Sequence, residues 1–142
     1  MSDPRSTIQI DGQNPQYLPF TIDASTITYD PTKPNGSAQV GLAVKLASAK
    51  TIALSTDGSA VLGKLINVEP DGQALVQVGG GVTLPGGNGA ALTVTKKIVG
   101  AVNASSAGGY IREVNTAVAA ELGLARGFIA DAGTATAVVV VL

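Results

Sequence analysis

The sequence predicts a mainly β chain, a small β-barrel or β-sandwich with one short helix and an extended N-terminal arm. Three observations carry that expectation. β-forming residues recur in short runs, glycine-containing turns separate the runs, and prolines crowd into the first 39 residues. The chain has 142 residues, which suits one ordinary domain. Apolar residues are 45% of it but aromatics only 4%, so the core must be built from Val, Leu, Ile and Ala.

The elements follow in chain order. Residues 1–39 hold five of the seven prolines and three of the five aromatics, Tyr17, Phe20 and Tyr29. Proline at that density opposes long helices and central strands. Thr7-Ile-Gln-Ile10 and Phe20-Thr-Ile-Asp23 nevertheless alternate like short strands. This segment is expected to be an arm, wrapping its own domain or lying on another subunit, and residues 40–142 a β-rich domain. Gly41-Leu-Ala-Val-Lys-Leu46 and Lys50-Thr-Ile-Ala-Leu54 are the first strands of that domain, closed by Thr56-Asp-Gly58. Ala60–Val68 and Gln73–Val78 form a hairpin across Glu69-Pro-Asp-Gly72. Pro70 presets one dihedral of that turn, Asp71 can bond nearby backbone, and Gly72 accepts a positive φ. Gly63 suggests a bulge or bend.

Gly79–Gly89 is expected to be a flexible connector. Ala91–Val94, Lys97–Val102 and Tyr110–Val114 are expected strands. Asn115–Gly123 is the one helix, capped by Asn115 and ended by Gly123. The chain closes with a short strand, a turn through Asp131 to Gly133, and Val138-Val-Val-Val-Leu142. That last run is apolar on both faces and must be covered on both sides.

Composition removes most chemistry. The chain has neither His nor Cys. A Ser-His-Asp or Cys-His arrangement therefore cannot be built, and zinc loses its usual ligands. Ser48 and Lys50 lie near each other, but nothing marks them as buried or activated. Asp57-Gly58 and Asp71-Gly72 are turn dipeptides rather than calcium loops. Gly79–Gly81 leads into Val82-Thr-Leu-Pro85, which does not open a helix as a phosphate loop requires. With a net charge of −1 and Lys96-Lys97 as its only adjacent basic pair, the chain lacks a footprint for nucleic acid. No apolar run is long enough to cross a bilayer, and Met-Ser-Asp-Pro-Arg5 has no secretory pattern. We expect no enzyme, no cofactor and no metal.

Charged residues are only 13%, about half the usual share. Such a surface suits a protein that spends its life assembled. Gly41–Leu46, Ala60–Val78 and Val82-Thr-Leu-Pro85, with the ending Ala125–Leu142, resemble the small capsid cement (decoration) proteins of tailed bacteriophages. The resemblance spans roughly residues 40–142, with a longer stretch from about Asn88 to Gly123. It implies a β-rich module on the outer capsid surface of the virion, made in the host bacterial cytoplasm. It also implies that the module clamps neighbouring major capsid subunits as a dimer or trimer. The contacts expected to grip the shell or a neighbouring subunit lie in the arm: Ile8, Ile10, Tyr17, Leu18, Phe20, Ile22 and Tyr29. The alternative is another virion surface module, a tail or fibre domain binding a host glycan.

Overall fold

A computed structural model describes residues 15–87, 92–134 and 137–142. The fold is mainly β, with one short α-helix. Strands β1 (Gln16–Ile22), β2 (Ala43–Ser48), β3 (Thr51–Leu54), β4 (Gly63–Val68) and β5 (Gln73–Gly79) close a barrel in the order β1-β3-β2-β4-β5. Strands β6 (Gly81–Leu84), β9 (Phe128–Thr134) and β10 (Ala137–Val141) form a three-stranded sheet with β10 in the middle. Strands β7 (Ile98–Ala101) and β8 (Tyr110–Glu113) pair with each other, and α1 (Ala119–Leu124) follows them.

Among the described residues there are two hydrophobic cores, and the start of β2 separates them. Successive side chains of a strand point to opposite faces. Val44 therefore enters the barrel core with Ile27, Ile52, Leu65 and Val76. Ala43 faces outward and is just as buried, against Val61, Leu84, Ile98, Ile111, Ile129, Val138 and Val140. The second layer thus covers the outside of the barrel wall. A polar seam fixes the two layers in register. Ala43 N–H donates to Gly109 O (2.8 Å), Gly109 N–H to Ser55 O (2.9 Å) and Ser55 N–H to Ala43 O (3.0 Å). The buried Ser55 hydroxyl donates to Tyr110 O (2.9 Å).

The proline-rich segment is not separate from the barrel. Strand β1 closes it, antiparallel to β5 and parallel to β3. Phe20 and Ile22 pack against the barrel core, and Ile27 is fully buried within it. The expected boundary at residue 39 is therefore corrected: from Gln16 onward the supposed arm is part of the barrel. Thr7–Ile10, with Ile8 and Ile10, lies outside the described residues.

Hydrogen-bond alternation explains how β1 tolerates Pro19. Thr21 and Asp23 donate N–H to Lys50 and Ile52 on the β3 side, whereas Ile22 donates to Gly72 on the β5 side. Pro19, two residues before Thr21, has its nitrogen on the β3 side. There β3 has not yet begun, because its first register partner is Thr51 opposite Thr21. The missing donor falls where no acceptor waits.

The Glu69–Gly72 turn forms as expected. Glu69 N–H donates to Gln73 O at 2.7 Å, Asp71 Oδ1 accepts from Gln73 N–H at 3.0 Å, and Gly72 has φ 85°. Other expectations fail for local reasons. Gly63 is no bulge: a Cβ there would collide with the carbonyl of Gln77, so close strand approach excludes a side chain. The irregularity in this hairpin lies between Leu65 and Asn67. Gly79–Gly89 is only partly a connector, because Val82 and Leu84 are buried strand residues. Leu92–Val94 forms no strand.

The helix is also shorter than expected. Asn115 spends its side chain on Ala117 N–H (3.0 Å) in a local turn, Val118 is the cap residue, and Gly123 lies inside the helix. Asp131–Gly133 continues β9 rather than turning. Val138 and Val140 of β10 are buried, as a central strand requires.

Two glycines separate space from flexibility. Gly63→Ala should cost about 2 kcal/mol or more in urea unfolding, because backbone must move to admit the methyl. Gly123→Ala, with nothing within 4 Å of its added Cβ, should be neutral or stabilise by about 0.5–1 kcal/mol.

Candidate functional site

The expected contact residues do not gather into one site. Phe20 and Ile22 pack against the barrel core and are only partly exposed. Tyr17 and Leu18 remain, 47% and 49% exposed at the start of β1. Tyr17 lies opposite Gln77, which in turn lies opposite Lys64 of β4. Tyr29 is also exposed, but its ring lies by Gly36 and close to the Val68 carbonyl. That is four residues further along β4, on the order of 13 Å away. The described part of the expected surface is therefore two separate aromatic points.

The remaining sequence candidates lie in turns. Ser48 and Lys50 are both exposed at the β2–β3 turn, where Lys50 adopts φ 57°. The glycines Gly79–Gly81 carry the chain from β5 into β6 through a bend at Gly80. Buried Gln77 holds it closed by donating Nε2–H to Gly79 O and Gly81 O, each at 3.2 Å. Leu142 N–H donates to Gly80 O at 3.0 Å. The carbonyls of this loop are thus occupied by the chain itself. Among the described residues, no group of three or more acids is placed to hold a metal ion.

Two arginines, which sequence reasoning did not single out, tie distant elements together. Arg126 sits between α1 and β9. Its guanidinium donates to Leu62 O (2.7 Å) and Val61 O (3.4 Å) before β4, and to Val78 O (2.9 Å) in β5. Its own backbone pairs with Ile98 in both directions, at 3.1 and 3.2 Å. One residue, just before β9, therefore joins the segment leading into β4 with β5 and β7. Burial pulls its pKa below the usual arginine value, yet three carbonyl dipoles support the charge. The available signal was a lone cation within Gly123-Leu-Ala-Arg-Gly127.

Arg112 of β8 is the second. Its Nη1 reaches Glu121 Oε1 at 2.8 Å, and its Nε reaches Asp57 Oδ1 at 2.9 Å. The Arg112 and Glu121 side chains are only 13% and 12% exposed, whereas Asp57 is largely solvated. The hydrogen bond to Glu121 raises the Arg112 pKa and, in return, holds the Glu121 carboxyl below its ordinary value.

Glu121 thereby pins α1, a helix too short to persist alone. The result is a helix turned inside out. Its acid points inward, while Val118, Leu122 and Leu124 stay exposed and no residue of α1 is buried. Beside it runs a groove of about 360 Å³ lined by Lys45, Leu46, Ser59, Ala60, Val61, Leu62, Leu124 and Arg126. Its lining is largely aliphatic, with Lys45 bonded to Thr56 Oγ1 at 3.1 Å. The arrangement offers apolar contact area on a fixed frame.

Arg126→Ala should lower unfolding free energy by about 3 kcal/mol, since three carbonyls lose a charged donor. Arg126→Lys should recover only part of this, because an ammonium cannot span the same fork. Chemical denaturation checks both.

Stability should also fall in acid. Glu121 is held below 4.5 by Arg112, Asp23 below 3.8 by its bonds to Ser25, and Asp30 below 3.8 by its bonds to Thr32. The unfolded chain takes up these protons first, so the stabilisation is complete above about pH 4.5 and lost as pH falls through the lower folded values. Glu121→Gln should lower the melting temperature at pH 7 and flatten the decline between pH 6 and pH 3.

Comparison with protein-family models, curated proteins and solved structures finds no match.

Proposed function

We propose that this chain is a structural cement protein that binds the outer surface of a bacteriophage capsid and clamps neighbouring major capsid subunits. The observation that carries this reading is the pair Tyr17 and Leu18. They are exposed on a strand whose following residues, Phe20 and Ile22, pack against the barrel core. Aromatic and aliphatic side chains held on a rigid strand lose little conformational freedom when a partner covers them. The β1 edge beside Tyr17 and Leu18 has no β3 partner. A segment of a capsid subunit could lie along it there, for a short length, before Pro19 ends the pairing. The low charge and the resemblance of residues 40–142 support the same reading. Binding at several points around a symmetry axis would multiply weak single contacts.

Tyr17→Asp and Leu18→Asp should each weaken binding to empty expanded shells at least tenfold, with the barrel still folded by circular dichroism. Co-sedimentation with the shells of the same virus measures this. Binding unchanged by both substitutions would overturn β1 as the gripping element. A clean, saturable signal on a glycan array, with no shell binding, would favour the host-glycan reading instead.

A further inference from the structure

We infer that residues 115–125 form a hinged flap that opens as a unit while both cores stay folded, with Arg112 and Glu121 as its catch. This goes beyond the shell reading and does not depend on it.

The two ends of the segment hang from neighbouring residues. Before it, Val114 N–H donates to Lys97 O at 2.9 Å. After it, Arg126 N–H donates to Ile98 O at 3.2 Å, and Ile98 N–H donates to Arg126 O at 3.1 Å. Lys97 and Ile98 are consecutive, so the segment leaves and re-enters the fold at one place. A surface loop with ends this close can swing without pulling on the strands that carry it. Both hinges belong to the frame. Val114 is buried, and Arg126 is fixed by its bonds to Leu62 O and Val78 O.

The segment itself is lightly held. Residues 115–120 and 122–124 are all exposed, whereas the Glu121 side chain is only 12% exposed and reaches inward. Its Oε1 accepts from Arg112 Nη1 at 2.8 Å and from Asn115 N–H at 3.4 Å. Helix α1 has six residues, one of them Gly123, and none is buried. A helix of that length gains too few backbone bonds to persist by itself. One ion pair therefore holds a segment that no apolar burial anchors, and such segments open first.

The frame survives the release. When Glu121 leaves, Arg112 keeps Asp57 Oδ1 at 2.9 Å and Glu113 O at 3.2 Å, so its charge is not stranded. Glu121 is the sole charged residue of the segment. Among the described residues, the charged groups facing it are Arg112 of β8 and, through Arg112, Asp57 between β3 and β4. Opening takes Leu124 out of the groove wall and uncovers Gly58, beside which the Glu121 side chain lies.

Hydrogen exchange of single amides, followed by NMR on the full chain, tests the flap. Leu122 and Ala125 N–H, bonded to Val118 O and Glu121 O, report on the segment; Val114, Arg126 and Ala43 report on the frame. At about pH 6 the flap amides should be protected at least tenfold less than the frame amides. Their rates should hardly change in low urea, because the flap exposes little new surface. Glu121→Ala should speed Leu122 and Ala125 at least a further tenfold, through loss of a charged hydrogen bond. Alanine is the better helix former, so propensity cannot produce that gain. In the wild-type chain, flap protection should be complete above about pH 4.5 and fall as pH drops through the lower value that Arg112 gives closed Glu121. Glu121→Ala should lack this fall. One shared protection and one shared urea dependence for flap and frame would overturn the inference. So would unchanged Leu122 and Ala125 rates in Glu121→Ala.

Discussion

The start of β2 is buried on both faces, at Ala43 and Val44, and much of the architecture follows from that constraint. Val44 belongs inside the barrel, and Ala43 belongs outside it. A five-stranded barrel left alone would present Ala43 and Val61 to water. The β6–β10–β9 sheet and the β7–β8 pair supply the missing cover. The Ser55–Gly109–Ala43 hydrogen bonds then prevent sliding, because a slip would strand buried backbone groups. Arg126, just before β9, also ties the layers together by reaching the carbonyls of Leu62, just before β4, and Val78 of β5. The two layers are coupled through one shared wall rather than through a linker.

That coupling bears on what the molecule is suited to do. An apolar surface is useful for binding only if it does not collapse when unoccupied. Tyr17 and Leu18 stay exposed because the residues after them are fixed in the barrel. Leu122 and Leu124 stay exposed because Glu121 and Arg112 commit the helix to one orientation. In both places the side chains are ordered during folding, so the proposed clamp would keep more of its contact energy for association. A clamp between subunits needs surfaces of this kind more than it needs a cleft.

The first 39 residues show how a composition signal can be correct and still mislead. Five prolines do oppose a regular central strand. β1 escapes by leaving Pro19 unpaired on one side while β3 joins two residues later. Phe20 and Ile22 then pack against the barrel core, half-buried. Their alternation, visible in Phe20-Thr-Ile-Asp23, indicates a strand with one apolar face but not which neighbour covers it.

The sequence by itself determined the β class, the Glu69–Gly72 hairpin and most strand positions, along with the lack of His and Cys. Those properties are local, set by alternation, turn residues and side-chain inventory within a few positions. Tertiary structure decided which apolar residues are covered. It buried Ile27 and packed Phe20 and Ile22 partly against the barrel core, all within the expected arm, and it left Leu122 and Leu124 exposed. It also gave Arg126 and Arg112 their importance, through partners up to 65 residues away in the chain. Burial and pairing belong to neighbours in space, and no window of sequence contains them.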